Sequence, residues 1–238
     1  MPIDQTRGKF SKDGKQEKFE RIYNSGEGDL VIWYKQGKKP DEKGFGRVLE
    51  GVRRARALLA RSIQVLKNEP KGELATVVLR HHFGANDGPL SSEDLASIIE
   101  SFELIQEGLR AQPTICLSKK LSDNTRGETN GADTDFHVHI NLNILDDHPD
   151  ALARTIIHEA SHRFASTDGS VTSKRYGESD EDEKPEIYEY HSAYADKTTD
   201  EATMNADSYA WGALSLGSGR LLTSNTFRND LGTTYLNE

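Results

Sequence analysis

Apolar residues at Val48, Val52, Ala55, Leu58, Leu59, Ile63 and Leu66 recur every three or four positions, which predicts a long helix from about 45 to 68. Pro70-Lys71-Gly72 ends it. A second stripe, Leu95, Ile98, Ile99, Phe102, Ile105 and Leu109, follows the capping sequence Ser91-Ser92-Glu93-Asp94 and predicts a helix to about 112. Between them, Leu74 to Phe83 suits strand or helix equally at its length. Leu30 to Tyr34 and Thr114 to Leu117 are short apolar runs of strand type. From Phe136 to Leu145 the alternation is strict. Phe136, Val138, Ile140, Leu142 and Ile144 share one face, and His137, His139, Asn141 and Asn143 the other. That is a half-buried strand, expected at a sheet edge where its backbone could take an extended peptide. A last helix is predicted from 198 or 199 to 216, ending at Gly217. The fold class is therefore α+β, with long N-terminal helices and a small mixed sheet in one domain over 27–217. Polar segments flank it, a loose arm over 1–26 and a loosely ordered tail over 218–238.

One more helix carries the candidate chemistry. In Asp147 to Gly169, Leu152, Ile156, Ala160 and Phe164 repeat every four residues, with Ala153 and Ile157 beside them. Pro149 suits the first turn, Asp147 or His148 the cap, and Asp150 the positive end of the helix dipole. On that helix lies His158-Glu159-Ala160-Ser161-His162, a match to H-E-x-x-H. Residues four apart share a helix face, so His158 and His162 can hold one Zn²⁺. Glu159 is turned by about 100° from His158. It can take a proton from a nearby water without ligating the metal. A catalytic zinc needs a third ligand, and Asp168, just past the helix end, is the favoured candidate. Asp180, Asp182 or Glu189 could serve if the intervening loop folded over. The adjacent His81 and His82 point in different directions on any regular element and are expected to have a structural or surface role.

Composition narrows the partners. The net charge of −9 argues against nucleic acid or an anionic membrane as the main partner and suits a cationic protein or peptide substrate. Cys116 is the single cysteine, which excludes an intrachain disulfide and a cysteine-based zinc site. No apolar run is long enough to span a membrane as a helix. The N-terminal residues lack the apolar core of a secretory signal, so the expectation is a chain made in the cytoplasm. Action outside the producing cell would then need a dedicated secretion system. An effector or toxin of that kind would have a cognate inhibitor or immunity protein as a partner.

The motif together with Asn205-Ala206-Asp207-Ser208-Tyr209-Ala210-Trp211 resembles the aspzincin metalloendopeptidases, the group of deuterolysin and peptidyl-Lys metalloendopeptidase. The resemblance covers roughly 113–217 and is greatest to bacterial members with a lysine-specific metalloendopeptidase-type domain. It implies a zincin fold with an active-site helix under a small sheet, and zinc held by two histidines and an aspartate. On that likeness His158 and His162 are zinc ligands, Glu159 is the catalytic base, and Asp207 helps to receive a substrate lysine. The family segment G-T-x-D-x-x-Y-G stands here as S-T-D-G-S-V-T-S-K-R-Y-G. Aligned on the threonine, its ligand position falls on Gly169, with Asp168 one residue early. Tyr176 matches the transition-state tyrosine after an insertion, and Ala210 stands where a second pocket acid would be. The expected activity is a zinc-dependent endopeptidase. The alternative is a binding module that keeps the fold without the activity.

Overall fold

The structure, a computed structural model, describes residues 7–10, 16–24, 30–35, 39–85, 88, 90–111, 114–118, 127–128, 138–141, 148–167 and 188–231. Six strands form one sheet: β1 (Arg7–Phe10), β2 (Gln16–Asn24), β3 (Leu30–Lys35), β4 (Thr114–Ser118), β5 (Gly127–Glu128) and β6 (Val138–Asn141), in the order β1-β2-β3-β4-β6-β5. β1, β2 and β3 run antiparallel, whereas β3, β4 and β6 are parallel, and β5 returns antiparallel to β6. Two of these placements differ from expectation. β1 and β2 fall within the stretch read as a loose arm: they pair as sequence neighbours with each other and with β3, but their few apolar residues among charged ones make no strict alternation from which a strand could be read. β6 is not the edge strand: Gly127 and Glu128 pair with Ile140 and His139 along its outer side.

Alternation decides which face is buried. Ile32 lies beside Ile115 and Ile115 beside Val138, while Tyr34, Leu117 and Ile140 line up one pleat further on. All of these are buried in the main core. Trp33 and Cys116, between them in sequence, form a separate buried cluster, as residues on the opposite face must. Cys116 is thus a buried thiol outside any disulfide.

The helices are α1 (Glu42–Asn68), α2 (Glu73–His82), α3 (Ser92–Arg110), α4 (Pro149–Phe164), α5 (Thr199–Thr203), α6 (Ala206–Ser218) and α7 (Ser224–Leu231). Asp41 caps α1 and Ser91 caps α3 through side-chain oxygens, and their apolar stripes are those read from the sequence. The ambiguous run 74–83 is helical, and its His82 is wholly buried. The last predicted helix is two. Thr198 and Glu201 close a capping box on α5, and Asn205 then caps α6 by accepting from Ser208 N. Leu222 and Phe227 lie in the core, so the described part of the expected tail belongs to the folded body.

α4 is the centre of the molecule. It packs against α1, α3, α6 and β6, and every residue from Ala151 to Ser161 is buried. The sequence led us to expect one buried face; here there are several. The close approach of α1 rests on Gly51, where an added Cβ would lie 2.7 Å from Leu152 Cγ of α4. Overpacking of this kind costs about 1–3 kcal/mol. Alanine regains about 1 kcal/mol in helix propensity. Gly51→Ala is therefore expected to lower stability by about 1 kcal/mol, read from the midpoint of denaturant unfolding.

Candidate metal centre

Burial on all sides forces the polar residues of α4 to find partners inside the protein. Thr155 Oγ1 donates to Ala151 O, and Ser161 Oγ to His158 O. His148 caps the helix, its Nδ1 accepting from Asp150 N at 3.2 Å, and Pro149 takes the first turn. Asp150 is in turn paired with Arg54 of α1. The helix that carries the motif is thus fixed at its start.

At its end the chain reverses. Ser166 adopts a left-handed conformation (φ 53°), uncommon for a residue with a side chain. Thr167 N then closes back on Ser161 O at 3.4 Å. The reversal puts Thr167 O 2.5 Å from His162 Nδ1, while Thr167 Oγ1 meets Ser161 Oγ at 3.0 Å. Asp168 and Tyr176 lie outside the described residues, so their placement beside the histidines stays an expectation. The same holds for Asp180 and Asp182.

His158 is held from α6. Its Nδ1 lies 2.9 Å from Asp207 Oδ1, and Arg154 Nη1 reaches the same oxygen at 3.4 Å. Asp207 Oδ2 accepts from Glu189 N at 2.7 Å. Burial works to raise the Asp207 pKa, but the hydrogen bond from His158, the charge of Arg154 and the Glu189 N–H outweigh it and hold it below the usual carboxylate value. Asp207 is 1% exposed. Both its oxygens are engaged inside the protein, so a substrate ammonium would have to displace Arg154 or the Glu189 N–H to reach it.

Each histidine therefore presents Nδ1 most closely to an acceptor: an ionised carboxylate for His158, and for His162 the Thr167 carbonyl at 2.5 Å, well inside the Thr167 hydroxyl at 3.4 Å. That places the ring proton on Nδ1 and leaves the lone pair on Nε2. The two Nε2 atoms converge to 3.3 Å. Two lone pairs facing each other at that separation repel unless a cation or a proton lies between them. Two nitrogens each about 2.05 Å from one tetrahedral zinc are roughly 3.3 Å apart, so donor chemistry and spacing both fit zinc. Among the described residues, no group of three or more His, Cys, Asp or Glu side chains is placed to hold a metal.

Glu159 is buried on α4, one residue past His158. Tyr188 stacks on the His158 ring at 6.1 Å and 12°, and Tyr190, 44% exposed, stacks on Tyr188 at 5.5 Å and 7°. Glu189, weighed from sequence as a third ligand, instead turns its carboxylate to Ser224 N and His81. Sequence reasoning missed Arg154, Thr167 and Tyr188. Arg154 had one signal, since it stands four residues before His158 on the same helical face. Thr167 had none, because it acts through its backbone carbonyl.

Behind Glu189 lies a second buried polar cluster. His82 contacts Tyr194 Oη at 3.0 Å, Ser215 Oγ at 3.1 Å and Leu222 O at 3.1 Å, and burial lowers its pKa well below the ordinary value. Lys197 Nζ donates to Tyr194 O at 2.8 Å, and burial holds its pKa down to about 7 against the pull of Asp207, Glu189 and Glu201. The folded value lies below the unfolded one of about 10.4, so the unfolded chain binds the extra proton. Stability therefore rises from about pH 7 towards pH 10, and below pH 7 the penalty is complete. Lys197→Met should be most favourable relative to the parent at pH 7 and lose that advantage by pH 10, as read from paired unfolding curves.

The fold is similar to that of a zinc peptidase from Grifola frondosa, with a TM-score of 0.52 over 74% of this chain and 96% of that one at 16% identity. The likeness is one of fold, α+β and zincin-like. No family model matches the sequence, and no curated protein matches it.

Proposed function

We propose that this chain is a zinc-dependent endopeptidase, with His158 and His162 holding the metal through Nε2. The observation that carries the reading is the 3.3 Å convergence of two Nε2 atoms whose Nδ1 atoms both face acceptors. Asp168, which follows Thr167 directly, is the proposed third ligand. When bound, zinc supplies Lewis-acid chemistry, polarising a peptide carbonyl and acidifying water. Glu159 takes a proton from the attacking water and later gives one to the leaving amine. Tyr176 is the proposed donor to the developing oxyanion.

Asp207 is assigned to orienting His158 rather than to touching substrate. A preference for lysine on the P1′ side then has no free Asp207 carboxylate to rest on, and the net charge of −9 favours cationic peptides only in general. The test is metal analysis of the purified chain with mapping of cleavage sites in a peptide mixture. One zinc per chain and chelator-sensitive cleavage are expected. A chain that takes up no zinc would overturn the reading in favour of a binding module.

A further inference from the structure

We propose that Glu189 and the start of α7 are positioning elements of the metal centre. A continuous line of hydrogen bonds joins the C-terminal helix to the motif. Ser224 N donates to Glu189 Oε2 at 2.7 Å, Glu189 N donates to Asp207 Oδ2 at 2.7 Å, and His158 Nδ1 meets Asp207 Oδ1 at 2.9 Å. The other oxygen, Glu189 Oε1, lies 3.4 Å from His81 Nε2. The Glu189 side chain is only 5% exposed, so with its partners removed it would be a buried carboxylate without compensation. The inference rests on the zinc-peptidase reading for its purpose, though not for its geometry.

Two consequences for His158 follow from anchoring this one residue. Asp207 has two oxygens facing donors on different sides, and without the Glu189 N–H it could turn on its side-chain bond away from the imidazole. Tyr188, the neighbour of Glu189, lies parallel to the His158 ring, so the same anchor sets the aromatic surface against its face. His158 is therefore held at one edge and one face by a segment that contributes no ligand. Outer partners of metal-bound histidines commonly matter about as much as the ligands' own orientation, and losing one lowers metal affinity about 10–100-fold.

Ser224 offers a probe that leaves Glu189 itself untouched. It is the first residue of α7, where proline is tolerated because the N–H has no partner within the helix. Ser224→Pro thus removes the donor to Glu189 and keeps the helix. Zinc affinity would be measured by competition with a chromophoric chelator for the parent, Glu189→Ala, Glu189→Gln and Ser224→Pro. The zinc-free proteins would be compared by the low-field proton resonance of His158 Nδ1–H, assigned by its loss in His158→Ala. Glu189→Ala and Ser224→Pro should weaken zinc binding about tenfold and shift or broaden that resonance. Glu189→Gln, whose amide oxygen can still accept from Ser224 N, should stay within about threefold. A merely structural role would lower the unfolding temperature and leave both readouts unchanged, which overturns the inference. If the parent takes up no zinc, the peptidase reading fails, and the resonance in the zinc-free variants alone decides whether Glu189 positions His158.

Discussion

Glu159→Gln is expected to fold, to take up zinc as the parent does, and to lose about 10²–10⁴-fold in kcat/KM for peptide hydrolysis. The range is that of a removed general base, about 3–5 kcal/mol of transition-state stabilisation. Glutamine has the same shape as glutamate but no carboxylate to receive a proton at neutral pH. Glu159 is buried on α4 and offset from the ligand face, so the change leaves both Nε2 atoms where they are. The informative comparison is between chemistry and stability. A structural Glu159 would show its loss in the unfolding midpoint, and a general base shows it in kcat with little change in KM. Retained full activity with bound zinc would sink the role assigned to Glu159.

How much of this was legible in the sequence depended on how local the determining contacts are. α1, α3 and α4 could be read because their stripes lie within one helix, and the caps of α3 and α4 with them, Ser91 to Asp94 and His148 to Asp150, whereas the start of α1 under its cap Asp41 was read about three residues late. The pair His158 and His162 could be read for the same reason, since helix geometry alone sets their relation. The break between α5 and α6 was signalled by Asn205 as a cap, but the apolar residues on both sides masked it. What could not be read was contact across the chain. Asp207 is 49 residues from His158, Glu189 is 35 from Ser224, and no periodicity links such positions. Leu222 and Phe227 looked like scattered apolar residues in a polar tail, and only tertiary packing shows that they close the core. The resemblance did single out Asp207, while the geometry gives it a different occupation from a contact with substrate.

That occupation has a large expected effect. In Asp207→Asn, one of the two oxygens becomes an NH₂ group, and each faces a donor: Oδ2 the Glu189 N–H, Oδ1 the His158 Nδ1–H and Arg154. Either flip of the amide sets donor against donor. With NH₂ towards His158, the ring is driven to the tautomer that carries its proton on Nε2, and the metal loses a lone pair. With NH₂ towards Glu189, the turn at 188–191 is pushed off α6. Zinc affinity should fall about 10–100-fold in either case, measured by chelator competition. Stability should fall as well, because Arg154, 8% exposed at its side chain, keeps its charge and loses its counter-ion. Breaking such a buried pair costs about 3–5 kcal/mol. Arg154→Met made together with Asp207→Asn removes the stranded charge and should restore much of that stability. It cannot restore the tautomer of His158, so zinc affinity should stay low in the double variant. Recovery of both together would mean that Asp207 serves the fold and not the metal.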